Sequence, residues 1–241
     1  TFDYGPFGFM DWFNPGFSPN SSDGHGRYAF GQQPVIAHWN LLKLSETLGH
    51  LVAPAILLKE LETFQQIYVG SSRELMGQKL GLSILDSEFN GLVEGLFKLL
   101  NDNPTDYTLF FRSLSSFPDV RRSGFKNLGD LDNWLSSYRR LIEREDPDFA
   151  ERKNKMDRVN PRFILRNYLL QRAIGKALKE SDFSEVERLR IILRDPYGDH
   201  PEIIDHYGID ADFYSSDSFS FNFIHSLILF KEEKCESFGN K

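Results

Sequence analysis

Asp3, Tyr4 and Gly5 form the triplet in this chain best suited to chemistry. A carboxylate is a hard oxygen ligand, and an aromatic residue followed by glycine permits the tight backbone path that presents it to a divalent cation held against nucleotide phosphates. Such triplets also occur as plain turns, so the sequence around this one decides its meaning. The six histidines, His25, His38, His50, His200, His206 and His225, show neither His-x-x-His nor His-Glu-x-x-His spacing, which argues against a zinc site. No Ser-His-Asp order is legible. Asp11 suits support of a metal-bound carboxylate, but in a Gly/Pro-rich loop local turn hydrogen bonds are the expectation. Arg27 suits holding a phosphate or ordering the loop around it, and equally suits pairing with a surface carboxylate. Arg162 and Arg166 stand four apart, a spacing that puts both on one helix face, where a salt-bridged or solvated structural role is expected over an anion clamp.

The elements that must position these groups change character at residue 34. Residues 1–34 mix glycine and proline with Phe2, Tyr4, Phe7, Phe9, Trp12, Phe13, Phe17, Tyr28 and Phe30, which reads as an ordered loop rather than a linker. The aromatics around Phe7 to Phe17 suit loop packing better than base stacking, because the basic residues of a stacking platform are missing. From Pro34 the apolar spacing turns helical, and a helix is expected over 34–48. Further helices are expected through Ile56–Tyr68 after Pro54, Phe89–Leu100 after a cap at Asp86, Tyr107–Leu114, and Leu131–Ile142, with a loop over 115–129. Asn160 and Pro161 read as the cap and first residue of a helix carrying Ile164, Leu165, Tyr168, Leu169 and Ile174. Ser184-Glu185-Val186-Glu187 reads as a capping box, with Asp195-Pro196 ending that helix. No repeat of solenoid length is visible. The expected organisation is a loop region (1–34), a helical body (35–200) and an irregular tail (201–241).

Composition bounds the partners. Across 241 residues the hydrophobic fraction is 40% and the formal net charge −7 (35 acidic against 28 basic), so the chain can bury a core but has no general attraction to nucleic acid or anionic lipid. The longest apolar run, Phe219 to Phe230, is too short and too interrupted to cross a bilayer. A single Cys235 excludes an internal disulfide and suits a reducing compartment. The chain starts at Thr1 with no targeting pattern, and its natural N-terminus is expected upstream.

Longer stretches settle what the triplet alone leaves open. Asp3-Tyr4-Gly5-Pro6-Phe7-Gly8-Phe9-Met10-Asp11, then Gly26-Arg27-Tyr28-Ala29-Phe30-Gly31-Gln32-Gln33-Pro34 and Trp39-Asn40-Leu41, resemble the signature of the selenoprotein O family, also called SelO or YdiU. Asp106-Tyr107-Thr108-Leu109-Phe110-Phe111, Asn160-Pro161-Arg162-Phe163-Ile164-Leu165-Arg166-Asn167-Tyr168 and Asp182-Phe183-Ser184-Glu185-Val186 follow in the family's order, so the resemblance spans residues 1 to about 197.

The resemblance implies a mainly α chain: the helical C-lobe and C-terminal extension of a protein-kinase-like fold, with the N-lobe absent. It implies a protein adenylyltransferase that binds ATP reversed relative to ordinary kinases and passes AMP to a Ser, Thr or Tyr hydroxyl of a protein substrate. By position, Asp3 matches the family's metal-binding aspartate, which also lies against the nucleotide; the cofactors are then ATP and Mg²⁺ or Mn²⁺. The family's phosphate-binding glycine loop, ATP-contacting lysine and its glutamate, base aspartate and metal-sharing asparagine all precede that turn. No catalytic residue is therefore expected in this chain, which is expected to be inactive alone.

Two departures bear on redox control. Pro19 stands where some members carry a cysteine, and Phe219–Lys241 lacks the family's Pro-Trp motif and short Cys-containing end, leaving Cys235 an ordinary exposed thiol. Bacterial members are cytoplasmic and eukaryotic ones mitochondrial; the compact stretch between the signatures favours a bacterial, cytoplasmic protein. The alternative is a helical interaction or scaffold module that keeps the family's packing residues without its chemistry.

Overall fold

The computed structural model describes residues 9–19, 22–145 and 148–201. Asp3, Cys235 and the 202–241 tail lie outside the described residues. Internal contacts divide the chain after Asp199, and the elements below belong to the first unit. They are a 3-10 turn (Phe30–Gln32) and the helices α1 (Gln33–Leu48), α2 (Pro54–Leu80), α3 (Ser87–Asp102), α4 (Tyr107–Leu114), α5 (Leu128–Glu145), α6 (Phe149–Asp157), α7 (Asn167–Glu180) and α8 (Ser184–Arg194). The chain is mainly α, and among the described residues pairing of β type is limited to a single antiparallel bridge, Trp12 with Asp106.

The core lies where α3 faces α5. Phe89, Leu92, Leu96, Leu99 and Leu100 recur at helical spacing on α3, and Leu131, Trp134, Leu135, Tyr138, Leu141 and Ile142 do so on α5. Each stripe therefore falls on one face and buries against the other. Phe110, Phe111 and Leu114 of α4, Leu80 of α2 and Met156 of α6 complete the cluster. Polar groups in this core are partnered: Trp134 Nε1 donates to Leu92 O at 2.9 Å, and Tyr138 Oη donates to Leu80 O at 2.6 Å. Burial pushes the Tyr138 phenol well above its ordinary value, so it stays a donor.

Local signals explain most helix ends. The Asp86 carboxylate accepts from Phe89 N at 3.0 Å and caps α3; Asp148 accepts from Ala150 N and Glu151 N and caps α6. Helix α2 runs well past the expected Tyr68 and stops at Gly81, which adopts a left-handed conformation (φ 62°). A side chain there is excluded twice over, since a Cβ would also fall 2.6 Å from Met156 Sδ. The carbonyls left open at that terminus go to buried Arg152, which donates to Leu80 O at 2.9 Å and Gly81 O at 3.3 Å. A cation at a helix C-terminus also complements its dipole.

Two expected starts are corrected. The 160s helix begins at Asn167, not Pro161, because the intervening segment makes its bonds elsewhere: Asn160 Nδ2 donates to Lys79 O, while Arg162 N and Phe163 N both donate to Pro196 O. Ser184 is the first residue of α8 rather than its cap, and the expected capping box is absent. Asp182 instead accepts from Ser184 N (2.8 Å) and Ser184 Oγ (3.0 Å). Glu185 is buried and receives Arg188 at 2.7 Å and Lys176 at 3.3 Å, tying α8 to α7.

Leu96 is fully buried at the centre of the α3–α5 interface. Leu96→Ala should lower unfolding stability by about 2–5 kcal/mol, read as a drop in the urea midpoint with little change in slope.

Candidate functional site

The loop that carries Asp11 is fixed to the helical body by backbone and charge together. Tyr107 N donates to Asp11 O at 2.9 Å, beside the Trp12–Asp106 bridge. Phe13 fills the space below, its ring 5.2 Å from Phe97, 5.9 Å from Tyr107 and 6.0 Å from Phe30. Further along, Phe30 N donates to Phe17 O and Gly31 N to Pro15 O, each at 2.8 Å, so the loop closes on itself before α1 starts.

Arg166 is the charged centre of this junction. Its guanidinium lies 2.8 Å from Asp11 Oδ1 and 2.8 Å from Asp106 Oδ2. Side-chain exposures of 6% for Arg166 and 1% for Asp106 put that pair out of water, whereas Asp11 retains 29%. Asp106 works twice, since its Oδ1 accepts from Leu109 N at 2.8 Å and caps α4. One arginine thus binds the loop, the α4 N-terminus and the segment leading into α7. Desolvation raises the Asp11 carboxyl above its ordinary 3.8, Arg166 opposes that rise, and the neighbouring Asp106 charge adds to it. Burial also raises the Tyr168 phenol beside them.

Asp11 therefore does not make the local turn bonds expected of it: both its carbonyl and its carboxylate reach across the chain. Arg162 and Arg166 share no helix face, since both precede α7, although both are salt-bridged as expected, Arg162 to Asp199 at 2.9 Å. Arg27 forms no ion pair with a carboxylate among the described residues. Its guanidinium carbon lies 4.4 Å from the Trp39 ring centroid, a cation–π contact. The loop that carries it is organised by Asp23, which accepts from Tyr28 N (2.7 Å), Arg27 N (2.9 Å) and Ser18 Oγ (3.0 Å) and is held below the ordinary carboxylate value mainly by the Tyr28 bond.

Sequence reasoning missed Asp106 as an ion-pair partner, although an aspartate immediately before an amphipathic helix is a cap signal. It also missed Lys79, whose ammonium sits 4.5 Å from the Phe111 ring centroid and is pushed down to about 8 by burial. Asp3 lies outside the described residues. Among the described residues no group of three or more His, Cys, Asp or Glu side chains is arranged to hold a metal ion, so the described part adds no metal cage of its own.

Arg166→Ala strands a buried carboxylate and should cost about 3–5 kcal/mol, whereas Arg162→Ala, whose partner Asp199 is exposed, should cost about 0–1 kcal/mol; urea unfolding of both variants compares them. A raised carboxyl stabilises the native state below its unfolded value and loses that contribution as pH rises through the folded value. The stability advantage of wild type over Asp11→Asn should therefore shrink from below pH 3.8 toward neutrality, and an advantage that grows would contradict this assignment.

Comparison with known proteins supplies the frame for this geometry. A family model described as "Protein adenylyltransferase SelO" matches residues 1–194. The chain is 44% identical over 211 residues to a protein nucleotidyltransferase YdiU of Aliivibrio salmonicida, covering 86% of this chain and 43% of the relative. It is 45% identical over 215 residues to the YdiU of Vibrio parahaemolyticus (84% of this chain, 43% of the relative) and 42% identical over 207 residues to that of Vibrio atlanticus (84% and 42%). The chain thus spans less than half the length of these relatives. With the match running unbroken from the Asp3 turn through the Arg166 junction to the end of α8, this chain belongs to the SelO family.

Proposed function

We propose that this chain is the C-terminal part of a kinase-like protein adenylyltransferase that moves AMP from ATP to Ser, Thr or Tyr hydroxyls of protein substrates. The observation that carries this reading is the family match over residues 1–194, a span that includes Asp3. The ordered set of motifs from Asp3-Tyr4-Gly5 to Asp182-Phe183-Ser184 supports it.

In this reading Asp3 supplies one carboxylate ligand to Mg²⁺ or Mn²⁺ and lies against the bound ATP, and the other metal and phosphate ligands come from outside this chain. A divalent cation there neutralises charge that develops on the α-phosphoryl oxygens and on the departing pyrophosphate. The contribution of the described residues is positional. Transition-state stabilisation depends on groups fixed in place before reaction, and the loop at Asp11 is held by Tyr107 and Arg166. Residues 1–34 are the metal-binding turn and loop of this scheme, 35–200 the helical lobe and extension, and 201–241 a divergent tail. The relatives' bacterial sources favour a bacterial cytoplasmic setting, and among the described residues no helix is long and apolar enough to cross a membrane.

The test supplies ATP, Mg²⁺ or Mn²⁺ and a candidate protein, and scores AMP adducts by mass spectrometry. The 241-residue chain alone should give none. The longest natural product containing it should give an adduct, and Asp3→Ala in that product should reduce the yield by about a hundredfold or more. No adduct from the longer product, or one indifferent to Asp3→Ala, would return the chain to the reading of a helical interaction module.

A further inference from the structure

Arg27 is a positioned cation without an anion. Its guanidinium carbon lies 4.4 Å from the Trp39 ring centroid and 5.9 Å from that of Tyr28. Lys43 Nζ stands 5.8 Å from the same indole centroid, so two cations converge on one ring. Two carboxylates of this region are engaged elsewhere. Asp23 accepts from Ser18 Oγ, Arg27 N and Tyr28 N, and both oxygens of Glu46 receive Lys43 Nζ, at 2.7 and 2.9 Å. Lys43 is thereby neutralised, whereas the Arg27 guanidinium has no carboxylate partner among the described residues. Stacking on an indole uses only the face of a guanidinium. Its N–H donors point outward in the plane of the group, where a carboxylate can take two of them at once. The side chain is held at both ends, by the backbone bond from Arg27 N to Asp23 and by the ring of Trp39.

We infer that Arg27, stacked on Trp39, anchors a docking site for a protein partner that presents a carboxylate side chain beside an apolar one. The apolar half of the site lies on α1. Val35, Trp39 and Lys43 are spaced four apart and so form one row along the helix. Val35 (62%) and Trp39 (41%) stay open to water, while the neighbouring His38 turns to Phe64 of α2. Tryptophan and arginine are the side chains that most often dominate binding at protein interfaces. The exposed Lys43–Glu46 pair ends the row and supplies a polar rim. The donor set selects a carboxylate over a phosphate. Arg27 N and Tyr28 N already donate to Asp23, and α1 carries a proline in its first turn, so one guanidinium fork is on offer rather than the several donors that cradle a phosphate. Small ligands take concave sites, whereas this row lies open on the surface and suits a protein segment. The inference does not depend on AMP transfer, and the two can fail separately.

Two short fluorescein-labelled peptides test this by anisotropy on the 241-residue chain: one repeats Glu-Ala-Leu-Gly, and the other carries Gln in place of every Glu. The Glu peptide should bind about tenfold more tightly or better, the difference expected of a charge-assisted fork. Arg27→Gln should abolish that preference and leave the urea midpoint unchanged, because the side chain is exposed. Arg27→Lys keeps the charge without the fork and should retain only part of the preference. Trp39→Ala should weaken the Glu peptide by about tenfold, since it removes both the stack and the apolar contact. Equal binding of the two peptides, or a preference that survives Arg27→Gln, would overturn the inference. Inorganic phosphate that displaces the Glu peptide where chloride of equal ionic strength does not would overturn it as well, by assigning the guanidinium to a phosphate group.

Discussion

The arrangement turns on one buried cation. Arg166 is withdrawn from water, a costly state for a charge unless its partners are close and well oriented. Asp11 and Asp106 bring opposite charge to within 2.8 Å from two other parts of the chain, one in the loop before α1 and one at the head of α4. Because the pair with Asp106 is desolvated on both sides, loss of either partner leaves an uncompensated charge. The position of the loop is therefore coupled to the integrity of the fold rather than left to weak surface contacts. The backbone bond from Tyr107 to Asp11 and the packing of Phe13 on Phe97 and Tyr107 act in the same place and in the same sense.

The helical body divides into a closely packed part and a more exposed part. Helices α3, α4 and α5 close a core whose polar groups are partnered, and the α2 terminus is completed by Arg152 and Tyr138. Helix α1 and the first turns of α2 carry comparable apolar content with no such closure.

Much of the helical layout was legible in the sequence, since amphipathic spacing is a local property that burial later enforces. The stripe Phe89, Leu92, Leu96 and the cap at Asp86 are examples in which pattern and structure agree. The failures share a cause. Pro161 looked like a helix start, but the segment after it is extended by bonds to Pro196 that lie far away in sequence. Ser184 looked like a cap, but its amide and hydroxyl both donate to the Asp182 carboxylate two residues earlier, and the Glu187 amide bonds to Phe183 O. Asp11 looked like a turn residue because its partners, Tyr107 and Arg166, are distant along the chain. Long-range polar pairing leaves no periodic trace, so the junction that matters most for the candidate site was the part least readable in advance. The family resemblance, in contrast, was carried by ordered motifs and needed no geometry.

The central claim is that the loop carrying Asp11 is locked to the α4 head. Native-state hydrogen exchange of the Tyr107 amide, which bonds to Asp11 O, measures that lock directly. The account predicts that this amide is protected to the level of core amides such as those of α3 and α5, and that Arg166→Ala releases it. Exchange at the rate of an open loop in the unaltered chain, with α3 and α5 still protected, would contradict it.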